Sequence, residues 1–270
     1  MILFCLLAAP VLARAAPVDA GHVTLDLVAQ DAAAVPGSTV YVALRQSIER
    51  GWHTYWRNPG DSGTPTALAW TLPAGWRAGE IVWPTPERIS TGPPDNPILN
   101  YVYSDEVLLA VPVTVPANAR PGSSVTLRAG VSYLVCADVC VPESGTVTLF
   151  VPVAAAPAGP DPRWGAAIAR TLAAAPKPSG LAATFQATDA GIRLGVTGAA
   201  LSGADLTGAD FYAYDGARIA SRAPTDRQHG PEGLSLTLSP VSAPGAAPAT
   251  ADLSGVLVTA GGAWEITARP

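Results

Sequence analysis

The chain is poor in the residues that build metal centres and disulfide frameworks: among 270 residues there are 3 Cys, 3 His and 1 Met. One of those cysteines, Cys5, lies inside an apolar leader, so only Cys136 and Cys140 remain for chemistry in the rest of the sequence. A single close pair excludes a multi-bridge scaffold of the kind small secreted domains use. Charge is also scarce, at 14% of residues with a net value of −5 and no basic cluster, which excludes an electrostatic surface for nucleic acid or for anionic membrane. After residue 20 no apolar run is long enough to span a bilayer.

What the sequence has in quantity is turn and strand chemistry. With 26 Gly and 27 Pro and abundant Val and Thr, it favours short strands joined by tight turns. Alternating or β-branched runs at Val23–Val28, Val40–Ile48, Ala67–Leu72, Ile81–Trp83, Val107–Val115, Val125–Val135 and Thr146–Val153 predict a first antiparallel sandwich with immunoglobulin-like topology. The run Ala154-Ala-Ala-Pro-Ala-Gly-Pro-Asp-Pro162 reads as a linker, because three prolines among small residues continue neither sheet nor helix. Trp164, Ile168 and Leu172 then recur at helical spacing after Asp161-Pro162, which predicts a short helix over 162–175. Strand patterns resume at Ala182–Ala187, Ile192–Thr197, Ala209–Tyr214, Leu234–Leu238, Gly255–Val258 and Ala263–Thr267. The expected organisation is a signal peptide over 1–16, a sandwich carrying the cysteine pair over 17–153, linker and helix over 154–176, and a smaller β-sandwich over 177–270. The second sandwich contributes no catalytic cluster; its single histidine, His229, falls in a polar loop. Ala13-Arg14-Ala15-Ala16 fits a signal-peptidase site, so the chain is expected to be exported to the periplasm.

The pair stands in Tyr133-Leu-Val-Cys136-Ala-Asp-Val-Cys140-Val-Pro142-Glu143, at the end of one strand and just before the next. Three readings of it are open: a local staple, a metal clip or a redox switch. Closing so short a loop contributes only about 2 kcal/mol, which weakens the staple. A turn lacks the helix N-terminus that lowers thiol pKa in helix-borne Cys-x-x-Cys motifs, and Asp138 and Glu143 nearby would raise it. Such a pair suits electron transfer inside a docked complex. In Gly51-Trp-His-Thr-Tyr-Trp56, an extended backbone puts His53 and Tyr55 on one side, candidates to face the cysteines, while Trp52, Thr54 and Trp56 point to the other. The proline-rich run Ser90–Tyr101 reads as a long loop with an apolar Ile98-Leu99 tip, able to lie over a dithiol as a shield or to sit as a plain surface loop.

The cysteine block, together with Tyr103-Ser-Asp-Glu-Val-Leu-Leu-Ala-Val-Pro-Val113 and Gly51-Trp-His-Thr-Tyr-Trp56, resembles the N-terminal periplasmic region of the DsbD and ScsB thiol:disulfide interchange proteins, the ScsB branch more closely. The resemblance implies an immunoglobulin-like sandwich that takes electrons from a DsbD-type transmembrane domain and passes them to periplasmic thioredoxin-fold proteins. It implies that Cys136 and Cys140 cycle, with Cys140 attacking the client disulfide and Cys136 resolving the mixed disulfide. It further implies a cap formed by Ile98, Leu99 and Tyr101, and a component of a protein-disulfide reductase that needs no cofactor and no metal. Since family members continue into a multi-span membrane domain and a thioredoxin-like domain, the implied product is a stand-alone relay, a split gene product or a truncated reading frame. A competing reading is a periplasmic copper(I) module serving copper tolerance, because Cys-x-x-x-Cys-x-Pro also occurs in Sco-like chaperones and two thiolates with His53 suit that ion. Against it stand the β context and the single Met.

Overall fold

The structure, a computed structural model, describes residues 15–178, 180–231, 233–241 and 251–270. The expected leader over 1–16, with Cys5, therefore lies almost wholly outside the described residues. Before the helix the chain forms β1 (Val18–Asp19), β2 (Val23–Ala29), β3 (Thr39–Ile48), β4 (His53–Gly60), β5 (Ala67–Thr71), β6 (Arg77–Ala78), β7 (Glu87–Thr91), β8 (Ile98–Ser104), β9 (Glu106–Thr114), β10 (Ser124–Cys136) and β11 (Cys140–Pro152). One sheet runs β1-β2-β3-β9-β6 and the facing sheet β11-β10-β4-β8-β7, with β5 also paired to β10. Strict alternation sets the packing. Leu127, Ala129, Val131, Tyr133 and Val135 of β10 all enter the core between the sheets, while the residues between them face outward.

Helix α1 (Gly165–Ala174) lays Ile168 on the outer face of the first sheet, against Val28, Ala43, Leu108 and Ala110. The helix begins at Gly165, later than the expected 162, and its N-cap Trp164 has no side-chain cap; Asp161 instead closes the turn before it, the carboxylate accepting the Arg163 and Trp164 N–H groups at 2.9 and 2.7 Å. Beyond it come β12 (Lys177–Pro178), β13 (Ala182–Thr188), β14 (Gly191–Thr197), β15 (Asp210–Ala213), β16 (Asp226–Gly230), β17 (Gly233–Leu238), β18 (Leu253–Thr259) and β19 (Gly262–Ala268). They build a second sandwich from the sheets β12-β19-β18-β15 and β13-β14-β17-β16. Its core holds Phe185, Leu194, Phe211, Leu236 and Leu257. The fold is thus all-β, with two antiparallel sandwiches joined by linker and helix.

Two local expectations change. Ser90–Tyr101 is no long loop: β7 and β8 form a hairpin with Thr91 opposite Ile98, so Pro93, Pro94 and Pro97 are confined to its turn. Ile81–Trp83 contributes only one bridge, Val82 to Ala110, in place of a strand.

Candidate functional site

Cys136 ends β10 and Cys140 begins β11, directly opposite each other across a three-residue turn, and they form a disulfide. Sheet position makes the two sulfurs unequal. The strand β11 is the sheet's edge, so Cys140 is exposed; Cys136 lies one strand in, is paired to His53 of β4, and is only 2% exposed. Val139, at the top of the turn beside Cys140, is 63% exposed.

Alternation brings His53 and Tyr55 to the outer face of the sheet, as the extended reading of 51–56 expects, while Thr54 and Trp56 point into the interior. Tyr55, Val102 and Cys136 make a small buried cluster, with Ile89 and Leu134 packed on it. The Tyr55 hydroxyl is 4.0 Å from Cys140 Sγ, and His53 Nε2 is 3.3 Å from that hydroxyl. Burial pushes the His53 imidazole below its ordinary value and the Tyr55 phenol above its own, so at neutral pH both are uncharged. The result is a line of neutral polar groups ending at the exposed sulfur.

The backbone around Tyr55 is fixed by polar contacts on both sides. Thr54 Oγ1 donates to Gln46 Oε1 at 3.0 Å, and Gln46 Nε2 donates to Thr66 Oγ1 at 3.1 Å, tying β4 to the 61–66 loop. Asn100 donates to the carbonyls of Pro59 and Ser62, which stitches the same loop to β8. Gly63, at φ +102°, lies directly on the Tyr55 ring, where a Cβ would come within 2.3 Å of it. Along the outer side of this loop a groove of about 370 Å³, lined by Thr64, Pro65, Ser132, Leu134 and Pro142, runs along the cysteine hairpin.

Other sequence candidates lie elsewhere. Asp138 is exposed at the tip of the turn. Glu143 sits on the opposite face of β11 from Cys140, where it accepts hydrogen bonds from the Tyr133 hydroxyl and the His22 N–H, each at 2.8 Å. It anchors the β1–β2 turn and does not meet the sulfurs. Ile98 and Leu99 open β8 at the end away from the disulfide: Cys136 and Ser104 flank His53, and Ile98 lies six residues before Ser104, roughly 20 Å along the strand. Tyr101 points to the other face, against Trp56 and Tyr212. The apolar residues packed on the Tyr55, Val102 and Cys136 cluster are Leu134 of β10 and Ile89 of β7, neither of them among the site residues expected from the sequence. Among the described residues no group of three or more His, Cys, Asp and Glu side chains is placed to hold a metal ion.

The disulfide thus lies at a sheet edge with one sulfur open, the other covered and a phenol near the open one, so an incoming thiol can reach one sulfur alone. Residues 24–152 match the family described as thiol:disulfide interchange protein DsbD, N-terminal, and this part of the chain belongs to that family. The whole fold is similar to the crystal structure of the N-terminal periplasmic domain of ScsB from Proteus mirabilis, at 19% identity and a TM-score of 0.62 over 92% of each chain. No curated protein matches the sequence significantly.

Proposed function

We propose that this chain is an extracytoplasmic thiol–disulfide relay. It takes two electrons from a DsbD-type membrane-embedded partner and delivers them to oxidised thioredoxin-fold proteins through Cys136 and Cys140. The observation that carries this reading is the unequal exposure of the two sulfurs within one disulfide. An incoming thiolate reaches Cys140 Sγ and not Cys136 Sγ, so reduction of the resting disulfide forms the mixed disulfide at Cys140 and releases Cys136 as the leaving thiolate. A second donor thiolate completes the reduction.

In the forward step the Cys140 thiolate attacks the client disulfide, and one client sulfur leaves as a thiolate that takes a proton. Cys136 then attacks Cys140 Sγ, expels the second client thiolate and restores the intramolecular disulfide. Two thiols are oxidised, one client disulfide is reduced, and no cofactor enters the balance. The Tyr55 hydroxyl is positioned to donate to the Cys140 thiolate that makes the attack.

The test is trapping. With an oxidised thioredoxin-fold client, Cys136→Ala should accumulate a covalent complex that dithiothreitol dissolves, while Cys140→Ala should accumulate little. Equal trapping by the two variants would overturn the assigned roles, and no trapping by either would overturn the relay.

A further inference from the structure

In thiol–disulfide exchange the entering sulfur attacks in line with the bond that breaks, from the side opposite the leaving sulfur. Cys136 lies on β10, one strand in from Cys140, so the breaking bond points from β11 toward the middle of the sheet. An entering thiolate therefore comes from beyond β11, over the open edge. Its bond to Cys140 Sγ forms as the Cys140–Cys136 bond breaks and Cys136 leaves as the thiolate. Pro142 fixes how the backbone of this edge is oriented. It stands opposite Leu134 but has no N–H, so the two form a non-hydrogen-bonded pair of the ladder. By period two the Cys136–Cys140 and Ser132–Ser144 pairs are of the same kind, and the N–H and C=O groups of Cys140 and Ser144, with the C=O of Pro142, point away from β10. The far end of β11 shows the same parity in use: the Pro152 carbonyl points outward and accepts the Ala34 N–H at 2.8 Å. Among the described residues no hydrogen bond reaches the outward groups of Cys140, Pro142 or Ser144, and all three residues are exposed. A row of unpaired N–H and C=O groups is a template for another strand.

We propose that the open edge of β11 from Cys140 to Ser144 is a docking strand: the exchange partner lays an extended segment, next to its reactive sulfur, along this edge and pairs with the Cys140 N–H and C=O. The proposal rests on the relay reading and adds the surface that the partner occupies. The covalent step itself favours this occupant. Two Cα atoms joined by a disulfide stand about 4.4–6.8 Å apart, and two residues that exchange N–H···O bonds across an antiparallel pair stand about 5.5 Å apart, so a mixed disulfide at Cys140 brings the partner backbone to pairing distance. Main-chain pairing reads little of the partner's sequence, which suits a surface that serves a donor and a client in turn. Val139, exposed at the turn, adds an apolar contact beside the sulfur. Pro142, with no N–H to offer, keeps the added ladder short, so the partner is released once the sulfurs have exchanged.

Amide hydrogen exchange in the Cys136→Ala protein, where an adduct at Cys140 persists, tests the edge. One adduct is made with an oxidised thioredoxin-fold client. A second is made with the peptide Val-Thr-Cys-Thr-Val, loaded through its activated pyridyl disulfide, which needs only an exposed thiol. In the free variant the Cys140 N–H should exchange without protection, while the N–H groups of Val141 and Glu143, which face β10, are protected. In both adducts exchange at Cys140 should slow roughly tenfold, the scale of one hydrogen bond added at the edge, with Val141 and Glu143 unchanged. The same peptide methylated on its cysteine nitrogen cannot pair and should leave Cys140 exchanging as in the free variant. Exchange at Cys140 at the free rate in either adduct overturns the proposal. Equal protection by the methylated and unmethylated peptides overturns it too, since bulk rather than pairing would then shield the edge. If the client forms no adduct while the peptide adduct protects Cys140, the edge is upheld as a docking strand and the relay reading is the one that fails.

Discussion

Cys140 is the reachable sulfur because it stands on the outermost strand, and the phenol of Tyr55 lies 4.0 Å from it. A hydroxyl that donates to a thiolate favours the charged form, so Tyr55→Phe should raise the Cys140 thiol pKa by about one unit, the worth of one lost hydrogen bond to an ionised group. The pH dependence of Cys140 alkylation in a Cys136→Ala background measures it; an unmoved midpoint would remove Tyr55 from the chemistry. His53 makes a prediction about stability. Burial lowers its folded-state pKa from the ordinary 6.5, so between that lowered value and 6.5 the unfolded chain binds a proton that the native protein does not. Stability is therefore full above pH 6.5 and declines as pH falls below it. Urea midpoints at pH 7.5 and 5.5 should show this decline, and His53→Gln should shrink it; an identical decline in the variant would assign it to other groups.

At the scale of elements, the cysteine hairpin, the helix and most of the strands follow from periodicity. Val125–Val135 alternates cleanly and sits in the structure with every second residue in the core. His53 and Tyr55 were legible as a pair for the same reason, since period two fixes which side chains share a face even when the partner strand is unknown. The β7–β8 hairpin was not legible. Pro93, Pro94 and Pro97 mark a turn, but nothing in Glu87–Thr91 shows that a short edge strand precedes them, because such a strand gains its place from β8 and from the other sandwich rather than from its own pattern. Ile98 and Leu99, expected as a shield, instead open β8 at the end away from the disulfide. The 61–66 loop supplies a check on the site's support. Gly63 has a left-handed φ and lies on the Tyr55 ring, so Gly63→Ala meets both backbone strain and overlap. It should destabilise the protein by about 1–3 kcal/mol and displace Tyr55, giving the same shift in Cys140 reactivity as Tyr55→Phe. A variant that loses stability and keeps wild-type Cys140 reactivity would show that the loop does not set the phenol.

For the whole molecule, the boundary near the Pro/Ala-rich linker marks where one sandwich ends in sequence, but packing does not stop there. Tyr212 and Val256 of the second sandwich belong to the same buried cluster as Trp56, Tyr101 and Val131 of the first. Contacts of this kind have no sequence signature: neither Tyr212 nor Trp56 stands in a pattern that names its partner some 150 positions away, and each reads as ordinary core of its own sheet. Cores that share side chains should lose them together. Urea unfolding followed by tryptophan fluorescence and by far-ultraviolet circular dichroism should therefore give one coincident transition. Tyr212→Ala removes a buried ring from the shared cluster, at a cost of about 3 kcal/mol. It should pull the transition apart, the second sandwich unfolding at lower urea than the first. Two separate transitions in the unaltered protein would mean that the sandwiches are energetically independent and that the shared cluster does not couple them.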